Sequence, residues 1–467
     1  ERQCQMKCRM LKSNRKAWEH ELKTTLLPVY FPEINEREQR EYEIQKERMQ
    51  KLYGEDTVFL PAVPIGEACT AKADMIVFFQ LVGAVFRHRE SLEKINIPVL
   101  ILTSEFGTVE MWDWEIVAWL REEISMCVCA PYSQEMARVA LRAQGSRKLL
   151  MGGAKFLLFQ DDPGEGMQAN IFKRFYWWEG ECKEVIEKTF GLKIVYRSWK
   201  AVNERAKKIS DAEAKSLWEQ RREPSRLLGQ EAILKAVKLY LALRAEAELE
   251  GQVVGIGSNC LNESFHSDTT PCLAWNWMFE YDHIIWACEG DLVSLISEYI
   301  FYQALRRPLM MTNIYPFLLG MAALKHEKIQ QFPQIEDSDN HALGVHCGYF
   351  GFAPKSFCES WVLRPKVLEI VNENAVAVDC RMACGPVTMA KLHTDMKTLT
   401  IIEAEIEDYV QYPGSDCRNG ALLRYTNQSG EKVMEELSSH HAILIQGKAT
   451  AQLLEVAKIY GFNVKVI

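Results

Sequence analysis

Apolar residues along this chain come in short runs separated by amphipathic stretches, the pattern of parallel strands joined by crossover helices. A charged segment from Glu36 to Leu52 predicts a helix. TVFLPAVP (57–64), ADMIVFFQL (73–81), IPVLILTSE (97–105) and the region around MCVCAP (126–131) then read as strands of a first α/β unit. GSRKLLMGG (145–153) reads as a turn between units. A second unit opens with KFLLFQDD (155–162) and continues through LKIVYRSW (192–199). A long helical passage follows from Pro224 to about Glu250, where apolar residues recur every three or four positions and Gly251 supplies a stop. QVVGIGSNC (252–260), HIIWAC (283–288) and RPLMMTNIYP (307–316) are three further buried strands, with LVSLISEYIFYQALR as a helix between the last two.

From about residue 340 the texture changes. ALGVHCGYF, VLEIVNENAVAVDC, KTLTIIEAEIEDYV and ALLRYTNQ are shorter and β-leaning, and predict a mainly antiparallel domain. The tail SSHHAILIQGKATAQLLEVAKIYGFNVKVI reverts to strand, helix and strand. The expected class is therefore α/β: two Rossmann-like parallel-sheet domains (1–150 and 151–330), then a mainly antiparallel β domain (331–467).

Charge and composition narrow the partners. A formal net charge of -8 over 467 residues gives no field favouring nucleic acid or an anionic membrane surface. The longest apolar stretch, Met75–Phe86, falls short of the roughly 20 residues that span a bilayer. A cytoplasmic protein is the expectation. The fourteen cysteines are scattered, many within apolar runs, and read as reduced thiols. Their closest pairs, Cys127 with Cys129 and Cys380 with Cys384, lack the spacing of a structural zinc site.

The candidate chemistry starts where HIIWACEGD leaves its strand. Glu289 and Asp291 flank Gly290 at the carboxyl end of a strand, where ligands gather in open α/β sheets. They equally suit the N-terminus of the following helix, whose dipole and free amides favour acids. If the next strand runs parallel, the loop after LMMTN brings Asn313 towards Glu289, and an oxygen pair there suits a hard divalent cation. The plainer role for Asn313 is a turn residue. His346 in LGVHCGY and His441 in SSHHAILI fall at strand boundaries, where they serve as ligands or as partly buried structural side chains. Acids interleaved with tryptophans in SEFGTVEMWDWE (Glu105, Trp112 and Trp114 among them) suit a carbohydrate, through stacking and hydroxyl hydrogen bonds. The same residues also suit the start of an amphipathic helix.

The stretches LYLALRAEAELEGQVVGIGSNC, HIIWACEGDLVSLISEYIFYQALRRPLMMTN, LGVHCGYF and SSHHAILIQGKATAQLLEVAKIYGF, in that order, resemble the fucose isomerase-like superfamily of L-fucose and L-arabinose isomerases. The resemblance implies interconversion of an aldose and a ketose through a cis-enediol. It also implies a divalent metal, commonly Mn2+, and acids that move the proton between neighbouring carbons. Carried onto this chain, it makes Glu289, Asn313 and His441 metal ligands and His346 a further one. Glu289 and Asn313 would be the catalytic positions, with Asp291 as a substitute carboxylate; sugar contacts would come from His440 and, in the N-terminal region where the resemblance fades, from Glu105, Trp112 and Trp114 as read above. A homo-oligomer, trimer or hexamer, is implied as well. Asn313 departs from the family, which has a carboxylate there; an amide oxygen coordinates a cation but takes up no proton near neutral pH. An epimerase, a lyase or a catalytically silent sugar-binding subunit are the alternatives that this departure opens.

Overall fold

The computed structural model describes residues 22–68, 72–81, 83–102, 113–161, 180–258, 266–316, 335–345, 353–365, 375–410 and 420–467. They fall into two compact units, one holding the first parallel sheet and the other holding a second parallel sheet together with the antiparallel strands.

In the first unit, strands β1 (Thr24–Tyr30), β2 (Thr57–Phe59), β3 (Val63–Pro64), β4 (Met75–Phe78), β5 (Val99–Ile101) and β6 (Val128–Cys129) form a parallel sheet of order β2-β1-β4-β5-β6, with β3 also on β1. The run 57–64, read as one strand, is two short ones, because Pro61 brings no amide hydrogen to the ladder. The helical reading of 36–52 holds: α1 (Glu36–Tyr53) starts from a capping box in which Asn35 and Glu38 satisfy each other's backbone amides. The expected turn at 145–153 is corrected. Residues 145–151 are instead the last turns of α2 (Gln134–Met151). Gly145 serves packing there rather than a turn, since a β-carbon on it would lie 1.9 Å from the Leu22 carbonyl oxygen.

The second unit opens with β7 (Lys155–Phe159), β8 (Lys193–Arg197), β9 (Val253–Ser258) and β10 (Ile285–Ala287), all parallel, in the order β10-β9-β7-β8. Helix α3 (Gln230–Glu250) precedes β9 and stops at Gly251, whose φ of 65° lies in the left-handed region that favours glycine. Helix α4 (Leu292–Leu305) follows β10. Every residue of β9 and β10 is buried, as a parallel sheet covered on both faces requires.

The next strand changes direction. β11 (Leu309–Pro316) does not extend the parallel sheet but pairs antiparallel with β12 (His341–Val345) and with β18 (His441–Gln446). β13 (Cys358–Pro365) and β14 (Val376–Met382) make a separate antiparallel pair. β15 (Gly385–Leu392), β16 (Thr398–Val410) and β17 (Gly420–Tyr425) complete the larger sheet, of order β15-β18-β11-β12-β17-β16, and a β15–β16 pairing closes it into a ring. After α5 (Thr450–Tyr460), β19 (Asn463–Val466) adds parallel to β16. The chain is thus α/β with two parallel sheets and a C-terminal antiparallel, barrel-like sheet. Among the described residues no helix is long and apolar enough to cross a membrane.

Candidate functional site

At the end of β10 the backbone makes a tight turn, Cys288–Gly290, before α4 begins. Glu289 has φ 57° and ψ 11°, and Gly290 follows with φ 69°. A left-handed glutamate costs about 1–2 kcal/mol, and such local strain collects where function fixes a side chain. The neighbouring strand accommodates the turn: a β-carbon on Gly257 would meet the Ala287 carbonyl oxygen at 3.2 Å and the Gly290 α-carbon at 3.6 Å. A bare backbone at 257 therefore lets the glutamate turn sit against β9.

The two acids of the opening motif separate at this turn. Asp291 is the N-cap of α4: its Oδ1 accepts from the Ser294 amide at 2.9 Å. Its Oδ2 accepts from the Ser294 hydroxyl at 2.7 Å, from Lys391 Nζ at 2.8 Å and from His441 Nδ1 at 2.8 Å. Lys391, in β15, also donates to the hydroxyls of Ser294 and Ser439, both at 2.9 Å. Asp291 and Lys391 are buried, and a buried ion pair is tolerable only when hydrogen bonds fill its remaining valences, as they do here. Burial opposes ionisation of Asp291, but the Lys391 charge and the His441 hydrogen bond outweigh it and hold the carboxyl well below the usual range.

His441 opens β18 and is fully buried. Because an anionic Asp291 accepts from Nδ1, a ring proton belongs there, and Nε2 is the ring nitrogen turned away from Asp291. That nitrogen lies 3.7 Å from Glu289 Oε2. Asn313 joins the pair from β11, where it is the direct antiparallel partner of His441, so the two side chains share one face of the sheet. Its carbonyl Oδ1 is buried without a hydrogen-bond partner among the described residues. The expectation that Asn313 lies in a loop after a parallel strand is thereby corrected: it sits within an antiparallel strand, and register rather than loop proximity brings it to the site.

The remaining expected residues divide. His440 is exposed, its ring 4.3 Å from that of His441; crowding by surrounding protein, then His441 and Lys391, pushes its imidazole below the ordinary histidine range. Trp114 lies on a helix (Asp113–Glu122) of the other unit with 68% of its surface exposed, so it does not pack inward. Glu105, Trp112 and His346 lie outside the described residues.

Three members of the cluster carry no signal that the sequence reading used. Lys391 stands in the buried run VTMAKL, and a charge inside such a run is the mark it leaves. Ser294 and Ser439 are ordinary as sequence. Beneath them Glu298, one helical turn beyond Ser294, is completely buried. Burial, reinforced by the nearby Asp291 charge, raises its carboxyl well above the usual range.

Glu289, the Nε2 of His441 and the orphaned Asn313 oxygen form a donor set of carboxylate, imidazole and amide suited to a hard or borderline divalent cation. Among the described residues no three His, Cys, Asp or Glu side chains gather into a metal-holding group, so the amide is needed to make a third donor. No model of a known protein family matches the chain, and no curated protein matches it either.

Proposed function

We propose that the chain is a metal-dependent sugar enzyme of the fucose isomerase-like type, on Rossmann-like parallel sheets, that moves a proton between adjacent carbons of a monosaccharide and so interconverts aldose and ketose. The observation that carries the reading is the Asp291–His441–Glu289 arrangement at the carboxyl end of β10, with the bare amide oxygen of Asn313 on the same face. Glu289, His441 and Asn313 would hold a divalent cation such as Mn2+, with His346 as a further ligand on the resemblance alone. The cation, when bound, polarises the sugar carbonyl and the neighbouring hydroxyl.

The remaining work falls to the chain itself. Asp291 fixes the tautomer and the orientation of His441, the task that a carboxylate behind a ligating histidine commonly performs. Lys391 keeps Asp291 anionic and leaves it no free valence for the substrate. Asp291 is therefore a positioning residue, which replaces its expected role as a stand-in acid. Glu289 is the carboxylate left at the reacting face, and it takes the carbon-bound proton and returns it to the neighbouring carbon. His440, at the exposed edge, would meet a sugar hydroxyl. The reading also includes a homo-oligomer.

Asn313 favours one second reading. An amide supplies neither charge nor a second proton site, and epimerisation or elimination, which also begin with proton abstraction beside a carbonyl, fit the same pocket. Metal analysis of the purified protein, then NMR of a panel of aldoses and ketoses incubated with it, tests the proposal. Ketose formed from aldose is the expected result. Inversion without ketose selects the second reading, and bound metal with no sugar turned over removes both.

A further inference from the structure

The parallel sheet of the second unit has a switch point that the proposed chemistry does not use. From β7 the chain crosses to β8 on one side, then returns to β9 on the other, so the crevice beyond the carboxyl ends of β7 and β9 is where such sheets take their ligands. Two polar side chains stand there. Ser258 ends β9 directly opposite Phe159, the last residue of β7, and Gln160 follows β7, its backbone N–H donating to the Arg197 carbonyl. Ser258 is 1% exposed and Gln160 6%, yet the serine hydroxyl and both polar atoms of the glutamine side-chain amide have no hydrogen-bond partner among the described residues. Buried polar groups in folded proteins are rarely left so, and such atoms at the ends of two neighbouring strands call for a molecule that satisfies them.

The row continues to the site already described. Ala287 of β10 pairs with Gly257 of β9, and the Glu289 turn rests against that glycine. Neighbouring strands are about 4.8 Å apart, so β10 and β7 are separated by about 10 Å. An extended open-chain sugar with its terminal oxygens covers that span. Neither side chain is charged, and each can both donate to and accept from a hydroxyl.

Resting on the function proposed above, we infer that Gln160 and Ser258 form the distal half of the substrate site and bind the uncharged far hydroxyls of an open-chain pentose or hexose whose reacting end lies at Glu289. The test titrates the Mn2+-loaded full-length protein with a panel of pentitols and hexitols by calorimetry, in the parent, Gln160→Leu and Ser258→Ala, with Mn2+ affinity measured on the same samples by electron paramagnetic resonance. The expected result is an alditol that binds the parent and is weakened about 2- to 10-fold by each substitution, with Mn2+ affinity unchanged. Equal alditol affinity in parent and both variants overturns the inference, as does a parent that binds none of the panel. Failure to bind Mn2+ counts against the function reading alone. The alditol titration, repeated without metal, then still decides the distal site by the same comparison.

Discussion

Two groups of buried polar side chains lie along the same edge of one unit, and they are finished differently. Around Asp291, both carboxylate oxygens, the Lys391 ammonium and the Ser294 hydroxyl are all engaged by one another or by His441 and Ser439. Gln160 and Ser258, at the ends of β7 and β9, and Asn313, within β11, are as deeply buried but keep polar atoms without partners among the described residues. A cluster that satisfies itself behaves as scaffold, and nothing further can bind it without displacing what is there. A row that does not satisfy itself is incomplete until a ligand or water fills it. On the proposed function, the difference leaves Asp291 to hold His441 in place, and Asn313, Gln160 and Ser258 to meet a ligand.

The sharpest way to break that division is to open the closed cluster. Lys391→Met strands the Asp291 carboxylate without its cation, and a loss of about 3–5 kcal/mol is expected in urea unfolding at neutral pH. A loss under about 1 kcal/mol would show that the cluster is not the scaffold described here.

Titration reads the two buried acids of α4 with opposite signs. The folded carboxyl of Asp291 lies below its unfolded value of about 3.9, so its stabilisation is present above that pH and is lost as pH falls towards the folded value. Asp291→Asn should flatten the acid limb of the stability curve. Glu298 is raised, so its contribution is present below about pH 4.3 and is lost at about 1.4 kcal/mol per unit as pH rises towards its folded value. Glu298→Gln should remove that decline and leave the protein more stable than the parent at pH 7. A variant with the parent's pH slope above pH 5 would mean that Glu298 ionises in place.

A smaller effect gives the cleanest pairing, because the same substitution is made in both groups. Ser294→Ala removes a hydroxyl that donates to Asp291 and accepts from Lys391, and should cost about 1–3 kcal/mol. Ser258→Ala removes a hydroxyl with no protein partner, and should change stability by no more than about 0.5 kcal/mol without ligand. Equal losses at the two positions would erase the distinction between them.

Much of this was readable along the chain, and the part that was not has an identifiable cause. HIIWACEGDLVSLISEY announces a buried strand, an acid-bearing turn and a helix in order, because each depends on neighbours a few residues apart. Asp291 as helix cap follows from the same local rule. The direction of β11 was not legible: LMMTNIYP is apolar enough for either kind of sheet, and only its partners, β12 and β18, decide. The turn expected at Gly145 failed for the converse reason, since a glycine can be demanded by a close neighbour as well as by a bend. Asp291 and His441 are 150 positions apart, so no local pattern links them. Lys391 escaped notice because a single lysine in a strand is ordinarily a surface residue. Gln160 and Ser258 were hidden differently: what marks them is the absence of a partner, which only three-dimensional structure displays.

Solvent deuterium uptake at the carbon beside the sugar carbonyl, followed by NMR in deuterium oxide for the Mn2+-loaded parent and for Glu289→Gln, tests the assignment of Glu289 as the proton-transfer group most directly. Uptake by the parent, lowered about 10²- to 10⁴-fold in Glu289→Gln while Mn2+ remains bound, is the predicted result. Equal uptake by the two proteins, or none by the parent with metal bound and a sugar in the site, would contradict it.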